Sequence, residues 1–173
     1  MKRKTWLSLL LAGALLLTPL TGCGKKSEDS SAQNSSQAKH VELTTDNDTF
    51  QLLMLDRMIQ TPDTGVTELL GDGDDQTYDV NGDLATRVYH GTLFGQEVSY
   101  TVSFALGDVT KAVVTFPIEI KTDDLTPMIT KQLDLEPKDD GAWHTETALV
   151  TINNADGHTE IACTSYSLLK NNS

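Results

Sequence analysis

The densest run of oxygen ligands in this chain is the segment from Gly71 to Asp83, Gly-Asp-Gly-Asp-Asp-Gln-Thr-Tyr-Asp-Val-Asn-Gly-Asp. Within it, Asp79-x-Asn81-x-Asp83 has the spacing that opens a calcium loop, where side-chain oxygens on one tight turn wrap a hard cation. That pattern also asks for glycine at its sixth position and an acid at its twelfth, and here those positions hold Leu84 and His90. A start at Asp72 puts Asp83 twelfth but leaves Thr77 where glycine is needed. The ordinary reading of the segment is a solvated linker between a helix and a sheet. The sharper reading is weak calcium binding by Asp79, Asn81 and Asp83.

The other reactive side chains are scattered. His40, His90, His144 and His158 stand at no metal-ligand spacing from one another or from Cys163. There is no Gly-x-Ser-x-Gly, no phosphate-binding glycine loop and no dinucleotide fingerprint. Cys163 lies in the alternating run Glu160-Ile161-Ala162-Cys163-Thr164, and no Lys or Arg stands closer in sequence than Lys170. It reads as a buried strand residue, because a reactive thiolate needs cationic help. Trp143 starts a strand after a polar loop and reads as core.

Cys23 is different, because its neighbours define a chemistry. A basic start, Met1-Lys2-Arg3-Lys4, precedes an apolar run from Trp6 to Leu17 that is too short to span a bilayer as a helix. Leu20-Thr21-Gly22-Cys23 follows. This resembles the signal peptide and lipobox of bacterial lipoproteins. The resemblance implies a diacylglyceryl group on the Cys23 thiol and cleavage between Gly22 and Cys23. Two acyl chains anchor stably where one would be marginal. The expected place is the cell membrane, lipid-anchored and facing outside the cytoplasm. No intrachain disulfide is then available to Cys163.

Charge narrows the partners. The chain carries a net charge of −12, and loss of Lys2, Arg3 and Lys4 with residues 1–22 takes it to −15. Such a chain does not bind nucleic acid by neutralising phosphates, and an anionic membrane surface repels it. The stretch from Lys25 to Lys39 has almost no apolar residue and reads as a flexible tether. The organisation expected is residues 1–22 as signal, 23–40 as lipidated cysteine and tether, and 41–173 as one α+β domain.

Periodicity supplies the elements that must position these groups. Phe50, Leu53, Met54 and Met58 fall on one helical stripe that Pro62 ends. A second helix is expected over residues 65–70, capped by Thr64, with Val66, Leu69 and Leu70 inward and Gly71 as its stop. From Thr86 the period becomes two. Val98, Tyr100, Val102, Phe104 and Leu106 alternate with polar or small residues, which marks a strand with one buried face. Residues 86–93 are its hairpin partner, and 109–118 follow through Gly107-Asp108. Residues 123–133 form a third helix behind Thr122, in which Pro127 is awkward unless Thr126 is the true cap and Pro127 the first helical residue. Residues 143–152 and 159–167 make a second hairpin. The order is ααβββαββ, an α+β fold with an antiparallel sheet of about five strands and two to three helices on one face.

Thr67-Glu68-Leu69-Leu70-Gly71, an acidic loop, and two alternating strands meeting at Phe104-Ala105-Leu106-Gly107-Asp108-Val109 resemble small envelope lipoproteins of the SmpA/OmlA type. They are also similar to the β-lactamase-inhibitor-protein fold. The likeness covers Asp48 to Phe116, with residues 121–166 as a degenerate second helix–hairpin copy, and it transfers no binding residue. It implies a module that binds other proteins. The function expected is a membrane-anchored, non-enzymatic binding or scaffold module whose partner is an envelope protein or a secreted ligand. The competing expectation is a calcium-dependent or hydrolytic envelope enzyme using the Asp72–Asp83 loop. No cofactor is expected beyond the lipid on Cys23 and weakly held calcium.

Overall fold

Three tight turns organise the sheet. Phe94-Gly95, Leu106-Gly107 and Asp156-Gly157 each place two consecutive residues at positive φ, between 53° and 86°. That is the type I′ geometry whose twist matches paired strands. The computed structural model describes residues 40–171, apart from the side chains of Leu53 and Asn171. In chain order the elements are α1 (Leu52–Met58), α2 (Asp63–Leu70), β1 (Asp75–Tyr78), β2 (Leu84–Leu93), β3 (Gln96–Ala105) and β4 (Asp108–Phe116). Then come α3 (Thr122–Leu133), β5 (Trp143–His144), β6 (Ala148–Ala155), β7 (His158–Ser165) and α4 (Tyr166–Asn171).

All pairings are antiparallel, and the seven strands lie in the order β1-β2-β3-β4-β7-β6-β5. Two meanders therefore meet along β4 and β7. The α+β class and antiparallel sheet follow the pattern in the sequence, but the strands number seven rather than five. One addition is β1, a short polar strand where a linker was expected. The other comes from the predicted strand over 143–152, which breaks into β5 and β6 because residues 145–147 turn aside to bind Asp56. The last helix, α4, begins where the final strand was expected to continue.

One face of the sheet is the core. Val98, Tyr100, Val102 and Phe104 of β3 point into it, with Val109, Ala112, Val114 and Phe116 of β4 and Ile161 and Cys163 of β7. The helices meet this face through Leu52, Leu55 and Met58 of α1, Val66 of α2, and Leu125 and Ile129 of α3. Phe50 and Met58 are buried as the predicted stripe requires, but Leu52 and Leu55 complete it where Met54 is only half-buried, and Leu69 of α2 is exposed rather than inward. α1 has no side-chain cap. An uncapped helix of two turns is unstable alone, so its buried leucines, each contributing about 1.5–3 kcal/mol, must hold it.

Two further departures concern where the helices start. α2 starts at Asp63, behind Pro62, not behind Thr64. Pro127 lies inside α3, whose first residue is Thr122, so Thr126 is not the cap. There the Thr126 hydroxyl donates to the Thr122 carbonyl at 2.8 Å, and packing of Leu125 and Ile129 outweighs the hydrogen bond that proline cannot make. The opposite sheet face carries Ser99, Thr101, Ser103, Lys111, Thr115 and Thr164, all half-exposed.

The sheet has two distinct ends. At one, residues 40–50 run as a strap. His40 Nδ1 lies 2.9 Å from Asp124 Oδ2, the Thr44 amide donates to the Phe94 carbonyl, and the Phe50 amide donates to the Thr92 carbonyl. Gly91 is required beneath this strap, because a Cβ there would come within 2.6 Å of Phe50. The opposite end carries the β1–β2 turn at residues 79–83 and the β3–β4 turn at Leu106-Gly107.

Candidate functional site

Asp79, Asn81 and Asp83 share one turn. Asp79 Oδ1 accepts the backbone amides of Asn81 at 2.8 Å and Asp83 at 2.9 Å, and Oδ2 accepts from Asn81 Nδ2 at 3.3 Å. These donors favour the ionised form, so its pKa lies below the usual carboxylate value, led by the Asp83 amide. Gly82, at φ +87°, lets the chain reverse into β2. The carboxylate is thus engaged in closing its own hairpin. Among the described residues, no group of three or more His, Cys, Asp or Glu is placed to hold a metal ion.

The histidines are dispersed. His40 faces Asp124, His144 Nε2 lies 2.8 Å from Asp140 Oδ2, and His158 Nε2 lies 3.6 Å from Glu160 Oε1. His144 is the main reason the Asp140 carboxyl sits below its usual range. His90 is exposed, and its amide donates to Asp74 Oδ2 at 2.8 Å. A shallow cleft of about 630 Å³ runs past His90, Thr92, Glu97, Ser99, Thr115 and Pro117. Trp143 is buried, with Nε1 donating to Thr130 Oγ1 at 3.2 Å, so it is core as expected.

Cys163 is fully buried. Desolvation, with the Asp56 charge second, pushes its thiol up to about 12. At neutral pH it is a small hydrophobe. Asp56, on α1, accepts from the hydroxyls of Thr145 at 2.5 Å and Thr147 at 2.8 Å. This clasp bends the chain out of the strand between β5 and β6. Cys23 lies outside the described residues.

The least ordinary surface is the sheet end formed by the β1–β2 and β3–β4 turns, where the sequence pointed to Asp79, Asn81 and Asp83 but not to Val80, and placed Leu106 on the buried face. Tyr78 is 61% exposed, Val80 101% and Leu106 106%. Leu106 also stands at φ +54°, a conformation that suits Gly, Asn or Asp. The available signal was the Leu-Gly pair, since leucine is a poor choice for the first central position of such a turn. One cleft of about 430 Å³ is lined by both turns and α2, through Asp63, Asp83, Leu84, Phe104, Leu106 and Gly107.

Beneath that cleft lies a buried cation. Arg87 is 5% exposed. Its Nη2 is 2.7 Å from Asp63 Oδ1, its Nη1 donates to Thr67 Oγ1 at 2.6 Å, and its guanidinium carbon sits 5.9 Å above the Phe104 ring centroid. The Asp63 contact is close but off the hydrogen-bonding angle, and Arg87 Nε has no hydrogen-bond partner among the described residues. The pair is held by charge more than by directed hydrogen bonds.

No family model, curated protein or solved structure matches the chain.

Proposed function

We propose that this chain is a membrane-anchored extracytoplasmic lipoprotein, acting as a non-enzymatic binding or scaffold module of the cell envelope. In this reading residues 1–22 are a cleaved signal, a diacylglyceryl group on Cys23 is the membrane contact, and residues 23–40 are a spacer. Residues 41–173 are then the working domain, and the helix-then-strands order before β4 and before β7 suits a degenerate tandem helix–hairpin unit. The observation that carries the binding role is the opposition of the two sheet ends. The strap at His40 is tied down at one end, and the exposed Val80 and Leu106 stand at the other. An anchor behind His40 would leave the apolar end free to meet a partner. The burial of Cys163 supports a structural role for that thiol. The likeness of Thr67–Gly71 and Phe104–Val109 to SmpA/OmlA-type and β-lactamase-inhibitor-like domains fits the same role.

The test is membrane fractionation of the full chain beside its Cys23→Ser variant, with labelled palmitate supplied. The wild type should carry label and stay with the membrane, and the variant should carry none. Label on Cys23→Ser would defeat the lipoprotein assignment.

A further inference from the structure

The two-turn end of the sheet combines features that a merely structural hairpin would not keep. The three type I′ turns allow an internal comparison. Phe94, at φ +54°, is fully buried, with its ring stacked 6.5 Å from that of Phe116, so packing offsets the left-handed backbone. Asp156, at φ +53°, is a residue that tolerates this region. Leu106 has neither compensation. Its backbone is in the same region, and its side chain is entirely in water. Val80, on the neighbouring turn, is equally exposed. Strain together with exposed apolar surface is an arrangement that asparagine or aspartate would relieve at no cost to the fold.

The surrounding charge selects the occupant. Asp79, Asp83 and Asp108 stand in these same two turns, while the charge of Asp63 is answered by Arg87. Asp79, Asp83 and Asp108 are all exposed. A second copy of the chain would bring the same three acids face to face, and an anionic lipid surface would meet like charge. A basic segment meets neither obstacle. We propose that this end docks a basic, apolar segment of a partner protein, with an apolar side chain against Val80 and Leu106 and flanking Lys or Arg side chains at Asp79, Asp83 and Asp108. The cleft of about 430 Å³ suits one or two side chains rather than a broad face. This deepens the binding-module reading and rests on it for the role, though not for the surface itself.

The test uses the full chain in detergent and fluorescein-labelled nonapeptides, read by anisotropy. Each peptide has a central Leu, Phe or Trp between Lys and Arg residues. Control sets replace Lys and Arg by Glu, or the central residue by Ser. The basic apolar peptides should bind, the controls should not, and added salt should weaken binding. Leu106→Asn should weaken binding at least tenfold while raising the melting midpoint by about 2–6 °C, as relief of the strained turn requires. That paired gain and loss separates a binding role from simple misfolding. Asp83→Asn with Asp108→Asn should flatten the salt dependence. The proposal is overturned if no basic peptide binds, if the Glu set binds as well, or if Leu106→Asn leaves affinity unchanged or lowers stability. A Leu106-dependent mass of two chains in sedimentation, or Leu106-dependent binding of the Cys23→Ser chain to phosphatidylglycerol vesicles, would assign the surface to another occupant and also overturn it. Fractionation tests the anchor separately, so either result can fail while the other stands.

Discussion

Removing Asp63 should harm this protein more than replacing Arg87, although the two form one ion pair. The Arg87 side chain is 7% exposed, and that of Asp63 is 39% exposed. Asp63→Ala leaves a buried guanidinium with only the Thr67 hydroxyl at 2.6 Å and a Gly71 carbonyl at 3.5 Å, and with Nε already unpartnered. Breaking a fully buried pair this way costs about 3–5 kcal/mol. Asp63 is partly solvated, so the pair is discounted towards surface values, and about 2–3 kcal/mol is expected. Loss of a first-turn acid from α2 adds about 0.5 kcal/mol to that. Arg87→Met instead removes the charge, keeps an apolar stem over Phe104, and leaves Asp63 able to reach water. It should change stability by less than about 1 kcal/mol in either direction. The double variant should then be more stable than Asp63→Ala alone, with a coupling of about 2 kcal/mol. Urea unfolding of the four proteins measures this directly. If Arg87→Met costs as much as Asp63→Ala, the guanidinium contributes through its hydrogen bonds, and the desolvation argument is wrong.

Three other outcomes follow from single groups. The Tyr100 hydroxyl is buried with no hydrogen-bond partner among the described residues, so Tyr100→Phe should leave urea stability unchanged or raise it by up to about 1 kcal/mol, and a clear loss would reveal a hidden partner. Cys163 should react with Ellman's reagent slowly in the native chain and rapidly in denaturant, and Cys163→Ala should cost about 1–2 kcal/mol through a small cavity. The folded pKa of Asp79 is lowered, so its contribution is complete above the unfolded value and fades as pH falls through the folded one. The stability gap between wild type and Asp79→Ala should therefore be constant at neutral pH and close below about pH 4, and a gap that widens on acidification would reverse the sign.

What the sequence made legible, and what it hid, divides along physical lines. The alternation from Val98 to Phe104 is a local signal, and those residues are buried as it requires, but Leu106, expected on the same face, lies past the end of β3 in the turn and is exposed. β1 gives no such signal, because Asp75 to Tyr78 is polar, and mostly exposed, at the sheet edge. The split between β5 and β6 depends on Asp56, which lies 89 residues from Thr145 in the chain. No window on the sequence could contain both. The extent of α3 was legible, but which residue starts it was not, because tertiary packing of Leu125 and Ile129 outweighs the local penalty of Pro127 inside the helix. In the acidic loop Asp79, Asn81 and Asp83 share one turn, as their spacing suggests. What spacing could not say was that the turn's own amides occupy the Asp79 carboxylate.

Arg87 links the stability argument to the exposed end. An apolar residue would hold the α2–β2 contact about as well, so the guanidinium is better explained by what it does to the cleft above it. Asp63 and Phe104 both line that cleft, and Arg87 touches both, by charge at 2.7 Å and by its face at 5.9 Å. It answers the charge of Asp63, one of the two acids lining the cleft, while Asp83, the other, and Asp79 and Asp108 beside it keep theirs. The result is a floor that an apolar side chain can enter without stranding a carboxylate, inside a rim that attracts cations. Held between Asp63 and the Phe104 ring, the guanidinium also braces the end of β3 from which the strained Leu106 projects. The cost of burying one cation is thus set against a surface that is apolar at its centre and acidic at its edge, the separation that selects a basic segment over another acidic chain.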